Sequence, residues 1–227
     1  MKKFDLGGAI EEPVTLAQLA FTRIKDAILD GQLEPGASIS EPTFAQALGI
    51  SRTSLREALF RLEAQGYAER GGTNRWQIFN ITEDSARDIY ECRGVLQGVA
   101  SSLASLHATQ ADLLKLREQL DAAWAANAAD DLGHVIECTT YFHELIIRYS
   151  GNEKLQFLLE ILRPQLLLNR RLMLMHAKHR RSILSRNEDL LAALSAGDAD
   201  LAQRIAINNA QMDLVAVLEL LTEGRVH

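Results

Sequence analysis

Leu48-Gly49-Ile50-Ser51-Arg52-Thr53-Ser54-Leu55-Arg56-Glu57-Ala58-Leu59 holds, in order, a helix end, a glycine suited to a left-handed turn, a serine cap and the opening turns of a new helix. The helical pattern runs on through Phe60-Arg61-Leu62-Glu63-Ala64-Gln65 and stops at Gly66. At about 100° per residue, Leu55, Ala58, Leu59 and Leu62 share one side, and Thr53, Arg56, Glu57 and Phe60 share the other. One side packs; the other is offered outward. Upstream, Ser40 reads as the cap of a short helix with Pro42 in its first turn and Phe44, Ala45 and Leu48 inside. Before that, Leu16, Leu19, Ala20, Ile24, Ala27 and Ile28 recur at helical steps until Gly31, and Pro35-Gly36 supplies a turn. Downstream, Tyr67 to Arg70 and Arg75 to Ile81 flank Gly71-Gly72-Thr73-Asn74, a hairpin with a glycine-rich tip. Three helices followed by a hairpin describe a winged helix-turn-helix.

That geometry sets the first turn of a helix against the DNA major groove. Arg52 and Arg56 have the reach and charge to bind phosphates or guanine O6 and N7, and Ser51, Thr53 and Ser54 can donate to phosphate oxygens. The chain as a whole is acidic, with 24 basic and 30 acidic side chains among 227 residues and a net charge of −6, which excludes indiscriminate coating of nucleic acid or anionic membrane. The acidity is unevenly placed: residues 1–81 carry −1, residues 82–227 carry −5, and residues 51–75 carry +2. The expected contact surface is positive where it must be.

After Ile81 the texture changes. Thr82 caps a helix with Glu83 and Asp84 in its first turn, Thr109-Gln110-Ala111-Asp112 opens another, and helical patterns continue over about 130–149, 153–175, 180–195 and 199–222. Pro164 is expected to kink or end the helix it interrupts. The fold class is therefore mainly α: an arm at 1–14, a winged domain at 15–81, an all-helical bundle of six or seven helices at 82–222, and a tail at 223–227. Two cysteines, Cys92 and Cys138, make no disulfide framework and no zinc spacing. The N-terminus lacks the apolar core of a signal peptide, and no stretch approaches the uncharged apolar length of a membrane span, so a soluble cytoplasmic protein is expected.

Residues 15–81 resemble the DNA-binding domain of the GntR family of bacterial transcription regulators. The likeness rests above all on Ile28-Leu29-Asp30-Gly31-Gln32-Leu33-Glu34-Pro35-Gly36, on the stretch from Leu48 to Leu59, and on Leu62-Glu63-Ala64-Gln65-Gly66. It implies operator contacts from Ser51, Arg52, Thr53, Ser54 and Arg56, and a wing at Gly72, Thr73, Asn74 and Arg75 that reaches the minor groove. The wing departs from the family pattern in running on as Arg75-Trp76-Gln77-Ile78, where a small residue and valine are usual.

Residues 84–222 resemble the ligand-binding domain of the FadR-like branch, the FCD type, through Ile89-Tyr90-Glu91-Cys92-Arg93-Gly94-Val95-Leu96-Gln97, Tyr141-Phe142-His143, Ser150-Gly151-Asn152 and the segment Leu190 to Asp198. Many such domains hold a divalent metal through an Asp and three histidines. Carried over, those positions fall on Thr139, His143, Asn187 and Asn209, so His143 is the one retained ligand position; Thr and Asn side chains are poor ligands for zinc or nickel, and no metal or other cofactor is expected. Thr139, His143, Asn187 and Asn209 then form a neutral polar pocket for a small molecule, or else the two Asn lie on solvated faces and His143 is a core histidine. Arg93 pairs a ligand carboxylate or an internal acid. Arg163, Arg170, Arg171, Lys178, Arg180, Arg181 and Arg186 lie in a segment without Asp or Glu, readable as a solvated face, a lining for an acidic ligand or a docking surface.

No enzyme signature emerges: there is no GxSxG, P-loop or dinucleotide fingerprint, and His143-Glu144 meets Ile147 where HExxH requires histidine. The resemblance implies a ligand-responsive regulator, a repressor acting as a homodimer on a palindromic double-stranded operator and released by a small organic acid. The alternatives are a metal-dependent FCD regulator with substitute ligands and a helical protein-binding adaptor without DNA binding.

Overall fold

The computed structural model describes residues 14–72 and 75–223. Most of the expected arm at 1–14, the wing residues Thr73 and Asn74, and the tail beyond Glu223 lie outside the described residues. Among those described, helices α1 (Leu16–Leu29), α2 (Glu41–Leu48) and α3 (Arg52–Ala64) precede a hairpin of β1 (Ala68–Arg70) and β2 (Trp76–Ile78). Six helices follow: α4 (Glu83–His107), α5 (Gln110–Ala128), α6 (Leu132–Tyr149), α7 (Glu153–Leu174), α8 (Ala177–Ser195) and α9 (Ala199–Glu223). The architecture is the winged helix-turn-helix plus helical bundle expected from the sequence.

The winged unit is built on the packing side of α3. Leu55, Ala58, Leu59 and Leu62 are fully buried against Ile24 and Ile28 of α1 and against Tyr67 and Ile78 of the hairpin region. Gly49 ends α2 at φ 67, a conformation that costs glycine nothing and L side chains about 1 kcal/mol or more. The antiparallel hairpin pairs Ala68 with Ile78 and Arg70 with Trp76, and residues 37–39 add to it through hydrogen bonds of Ile39 N to Trp76 O and Ile78 N to Ala37 O. Ser40 does not cap α2 through its side chain as expected; its hydroxyl hydrogen-bonds the Thr43 hydroxyl at 2.9 Å instead.

In the bundle, Thr82 with Ser85 and Thr109 with Asp112 form reciprocal capping boxes at the starts of α4 and α5. Pro164 does not end its helix, because α7 runs on from Glu153 to Leu174 with the proline inside it. A proline removes one backbone hydrogen bond, and here buried Leu159, Leu168, Met173 and Leu174 pin α7 to the core on both sides of the gap. Helix α9 corrects an expectation: by length and composition it is long and apolar enough to cross a membrane. It packs along α4 and carries Asp213 into a buried ion pair with α4, the behaviour of a central helix in a bundle.

Candidate functional site

The outward side of α3 is open. Arg52, Thr53, Arg56, Glu57 and Phe60 are exposed, whereas Ser51 Oγ accepts a hydrogen bond from Ser54 N at 3.1 Å and so closes the helix start. The Arg56 Nε bonds Glu41 Oε2 at 2.7 Å, tying the first residue of α2 to the middle of α3. An exposed pair of this kind is worth about 0–1 kcal/mol, less than the roughly 1–3 kcal/mol of a bidentate guanine contact. Glu41 therefore orients Arg56 without withholding it. At the hairpin tip Gly72 and Arg75 are exposed. Trp76, the departure from the family wing, is buried. Its ring meets Phe60 edge-on at 5.4 Å and lies under the Arg70 guanidinium at 3.6 Å, which anchors the wing root to α3.

In the bundle, Arg93, His143, Asn187 and Asn209 do converge, on a cleft of only about 10 Å³ that also includes Arg170, Arg186 and Asp213. That space admits one water at most. Thr139, one helical turn before His143, is buried but does not line this cleft, and its hydroxyl donates to Val135 O at 2.7 Å on its own helix. The pocket is not the neutral one the sequence suggested. Arg93 takes its internal option, donating to Asp213 at 2.7 Å and to Gln97 at 2.8 Å, and Arg186 donates to the other Asp213 oxygen at 2.5 Å. Burial opposes charge on Asp213, yet the two guanidiniums hold its carboxyl below the usual range. Burial and then the charges of Arg170, Arg93 and Arg186 push His143 well below the usual imidazole value, so its ring is neutral.

A larger cavity, about 310 Å³, opens on the other side of His143 between α4, α6 and α7. Its walls include Gln97, Thr140, Glu144, Arg148, Arg163 and Arg170. Arg163 bonds Glu144 at 2.6 Å and reaches Glu160 at 3.5 Å. Arg170 makes no ion pair or side-chain hydrogen bond among the described residues and is 9% exposed, with Asp213 and Glu144 acting on it only at longer range. Burial and the neighbouring Arg93 lower its pKa to about 10, which still leaves it charged near neutral pH. Asn187 Nδ2 and Arg186 Nε nearby are buried donors without acceptors. An unsatisfied buried donor costs about 1–3 kcal/mol, more when charged, so this interior favours an incoming anion. Arg170 was visible in the sequence only as one member of the acid-free basic segment; the structure singles it out.

The other members of that segment have separate tasks. Arg171, next to Arg170, turns to the winged unit and donates to Leu29 O at 3.2 Å, at the C-terminal end of α1 where a cation also suits the helix dipole. Its guanidinium fills the space beside Gly31, which stands at φ 74, and any side chain there would collide with it. Gln165 of α7 lies against Gly66 after α3. Arg180 bonds Asp130 and Leu174 O within the bundle. One helix, α7, thus lines the cavity with one face and holds the winged unit with another.

The donor set does not suit a divalent cation. Thr139 is engaged with its own helix, Asn187 and Asn209 are neutral amides, and three guanidiniums surround the one imidazole, a field that repels a dication. No group of three His, Cys, Asp or Glu side chains able to hold a metal occurs among the described residues.

Comparison with known proteins agrees with this arrangement. Residues 16–78 match the family described as bacterial regulatory proteins, gntR family, and residues 88–210 match the FCD domain. The chain is 30% identical over 153 residues to the uncharacterized HTH-type transcriptional regulator YdhC of Bacillus subtilis, covering 66% of this chain and 68% of that one. It is 28% identical over 171 residues to the Glc operon transcriptional activator of Escherichia coli, covering 67% of each. The solved structure of E. coli McbR/YncC superposes with a TM-score of 0.74 at 23% identity, covering 91% of this chain and 99% of that one, and so shares the fold. With its winged helix-turn-helix and its helical domain both matched, the chain belongs to the gntR family of bacterial regulatory proteins, FCD-domain type, and is a transcriptional regulator rather than an enzyme.

Proposed function

We propose that the protein is a cytoplasmic repressor that binds a palindromic operator as a homodimer and leaves it when a small organic acid enters the α4–α6–α7 cavity, without a metal. On DNA, Arg52 and Arg56 read base edges or phosphates, Ser51, Thr53 and Ser54 meet the backbone, and the wing tip from Gly72 to Arg75, with Thr73 and Asn74, enters the minor groove. One recognition helix reads only a few base pairs, so two copies are needed for useful affinity. Exposed Val95, Val99 and Leu106 on α4 and Phe157 and Ile161 on α7 offer apolar surface for the second copy. The observation that carries the effector part is the unpaired buried Arg170 beside the interdomain contact of Arg171. An anion that draws Arg170 toward it acts on the same turn of α7 that grips Leu29, and so shifts the winged units away from operator spacing.

The test is selection of duplexes from a random pool by the full-length protein. Enrichment of one two-fold symmetric site, with affinity falling steeply as salt rises, supports the reading. Enrichment of no site at any salt concentration overturns it.

A further inference from the structure

The cavity has an electrostatic layout that specifies more than an organic acid. Helices α6 and α7 form an antiparallel hairpin about the Ser150–Asn152 turn, so residues can be ordered along the cavity between them. Arg148 and Gln156 lie at the turn end, Glu144 and Arg163 in the middle, and His143 with Arg170 at the inner end. The middle is self-neutralised, because Arg163 is held by Glu144 at 2.6 Å and faces Glu160 at 3.5 Å. The ends are not. Arg170 is buried without an acidic partner, and Arg148 is exposed at the mouth and forms no ion pair among the described residues. Between them, apart from that self-neutralised middle, the wall is apolar at Ile147, Leu159, Leu166 and Leu167 and includes the Thr140 hydroxyl, which is buried and without a hydrogen-bond partner.

We infer that the cavity takes a dianion, an α,ω-dicarboxylate with one carboxylate on Arg170 and the other on Arg148. This rests on the reading of Arg170 as an effector anchor and sharpens it to a ligand class. A monoanion satisfies the inner guanidinium and leaves the mouth charge unmatched; a dianion matches both, and each guanidinium can bind its carboxylate through two N–H groups. The apolar side chains and the self-paired middle of the wall discriminate little between hydrocarbon spacers, so recognition depends on charge separation.

The experiment is isothermal titration of the full-length protein with succinate, glutarate, adipate and pimelate, each against its own monoamide. The monoamide matches the diacid in length and polarity but carries one charge. One diacid length is expected to bind about tenfold more tightly than its monoamide, equivalent to about 1.4 kcal/mol. The Arg148→Ala variant, altered at an exposed position, is expected to erase that advantage by weakening the diacid far more than the monoamide. Arg170→Gln is expected to weaken both ligands together, with circular dichroism confirming that the variant is folded. Equal binding of diacid and monoamide overturns the dianion inference and leaves the organic-acid reading standing, as does a diacid preference that survives Arg148→Ala. Binding of neither compound at any length overturns both.

Discussion

Among the described residues, Asp213 is the one carboxylate within ion-pairing distance of Arg93 and of Arg186, at 2.7 and 2.5 Å, with 7% of its side chain exposed. Replacing it with Asn keeps shape and one acceptor oxygen but removes the charge, leaving Arg93, Arg170 and Arg186 around neutral His143 with no carboxylate lining that cleft among the described residues. Removing one member of a buried pair costs about 3–5 kcal/mol because the other charge is stranded. The retained amide oxygen places Asp213→Asn near the lower end, about 3 kcal/mol. For a chain of this size 1 kcal/mol moves Tm by roughly 2–4 °C, so a fall of about 6–12 °C is expected in a thermal melt. Adding Arg93→Met to Asp213→Asn withdraws one of the stranded charges and should recover part of the loss, a non-additivity readable in a double-mutant cycle. A fall below about 2 °C, or a double variant whose loss equals the two single losses combined, would refute the view that Asp213 is what keeps this interior charge-balanced.

Protonation gives a second test. His143 is held neutral below its ordinary value, so the unfolded chain takes up a proton at a higher pH than the folded one. The stability tied to it is complete above the unfolded-state value of about 6.5 and is lost as pH falls from there toward the folded-state value. Denaturant melts between pH 7.5 and 5 should show stability falling on acidification, and His143→Gln should flatten that slope; equal slopes would dismiss the assignment. His179 is shifted in the same direction by burial and by Lys178, but it is present in both proteins and cancels. Ser51→Ala removes the hydroxyl that closes the start of α3 and should cost about 1 kcal/mol in a urea melt; an unchanged midpoint would show the cap to be dispensable. Arg171→Ala cuts the hydrogen bond to Leu29 O and should weaken the effect of any bound acid on operator affinity while leaving acid affinity intact. Undiminished coupling in that variant would place the link elsewhere.

The winged unit was legible in the sequence because its determinants are local. Gly49 at positive φ, the Ser51 cap and the buried face of Leu55, Ala58, Leu59 and Leu62 are each decided within one or two turns of chain, and each is as read. The same holds for the capping boxes at Thr82 and Thr109. Pro164 does not stop α7, because a local rule meets a helix fixed by tertiary packing on both sides. The bundle interior was only half legible. The resemblance grouped Thr139, His143, Asn187 and Asn209; the structure lines one small cleft with Arg93, His143, Asn187 and Asn209 and leaves Thr139 off it, and the partner Asp213 stands 120 residues from Arg93 in sequence, with nothing local to join them. Arg170 and Arg171 are adjacent and chemically identical in the sequence, and only the docking of α7 sends one into a cavity and the other to another domain.

The central claim is that the outward side of α3 reads DNA, and it is tested most directly by fluorescence-anisotropy titration of the selected duplex with the wild-type protein and with Arg56→Ala. The account predicts that the variant binds more weakly by about 1–3 kcal/mol, roughly 5- to 150-fold, and loses discrimination at one base pair per half-site, because parting Arg56 from Glu41 costs far less than a bidentate guanine interaction stabilises. Equal affinity and equal base preference in the two proteins would contradict it.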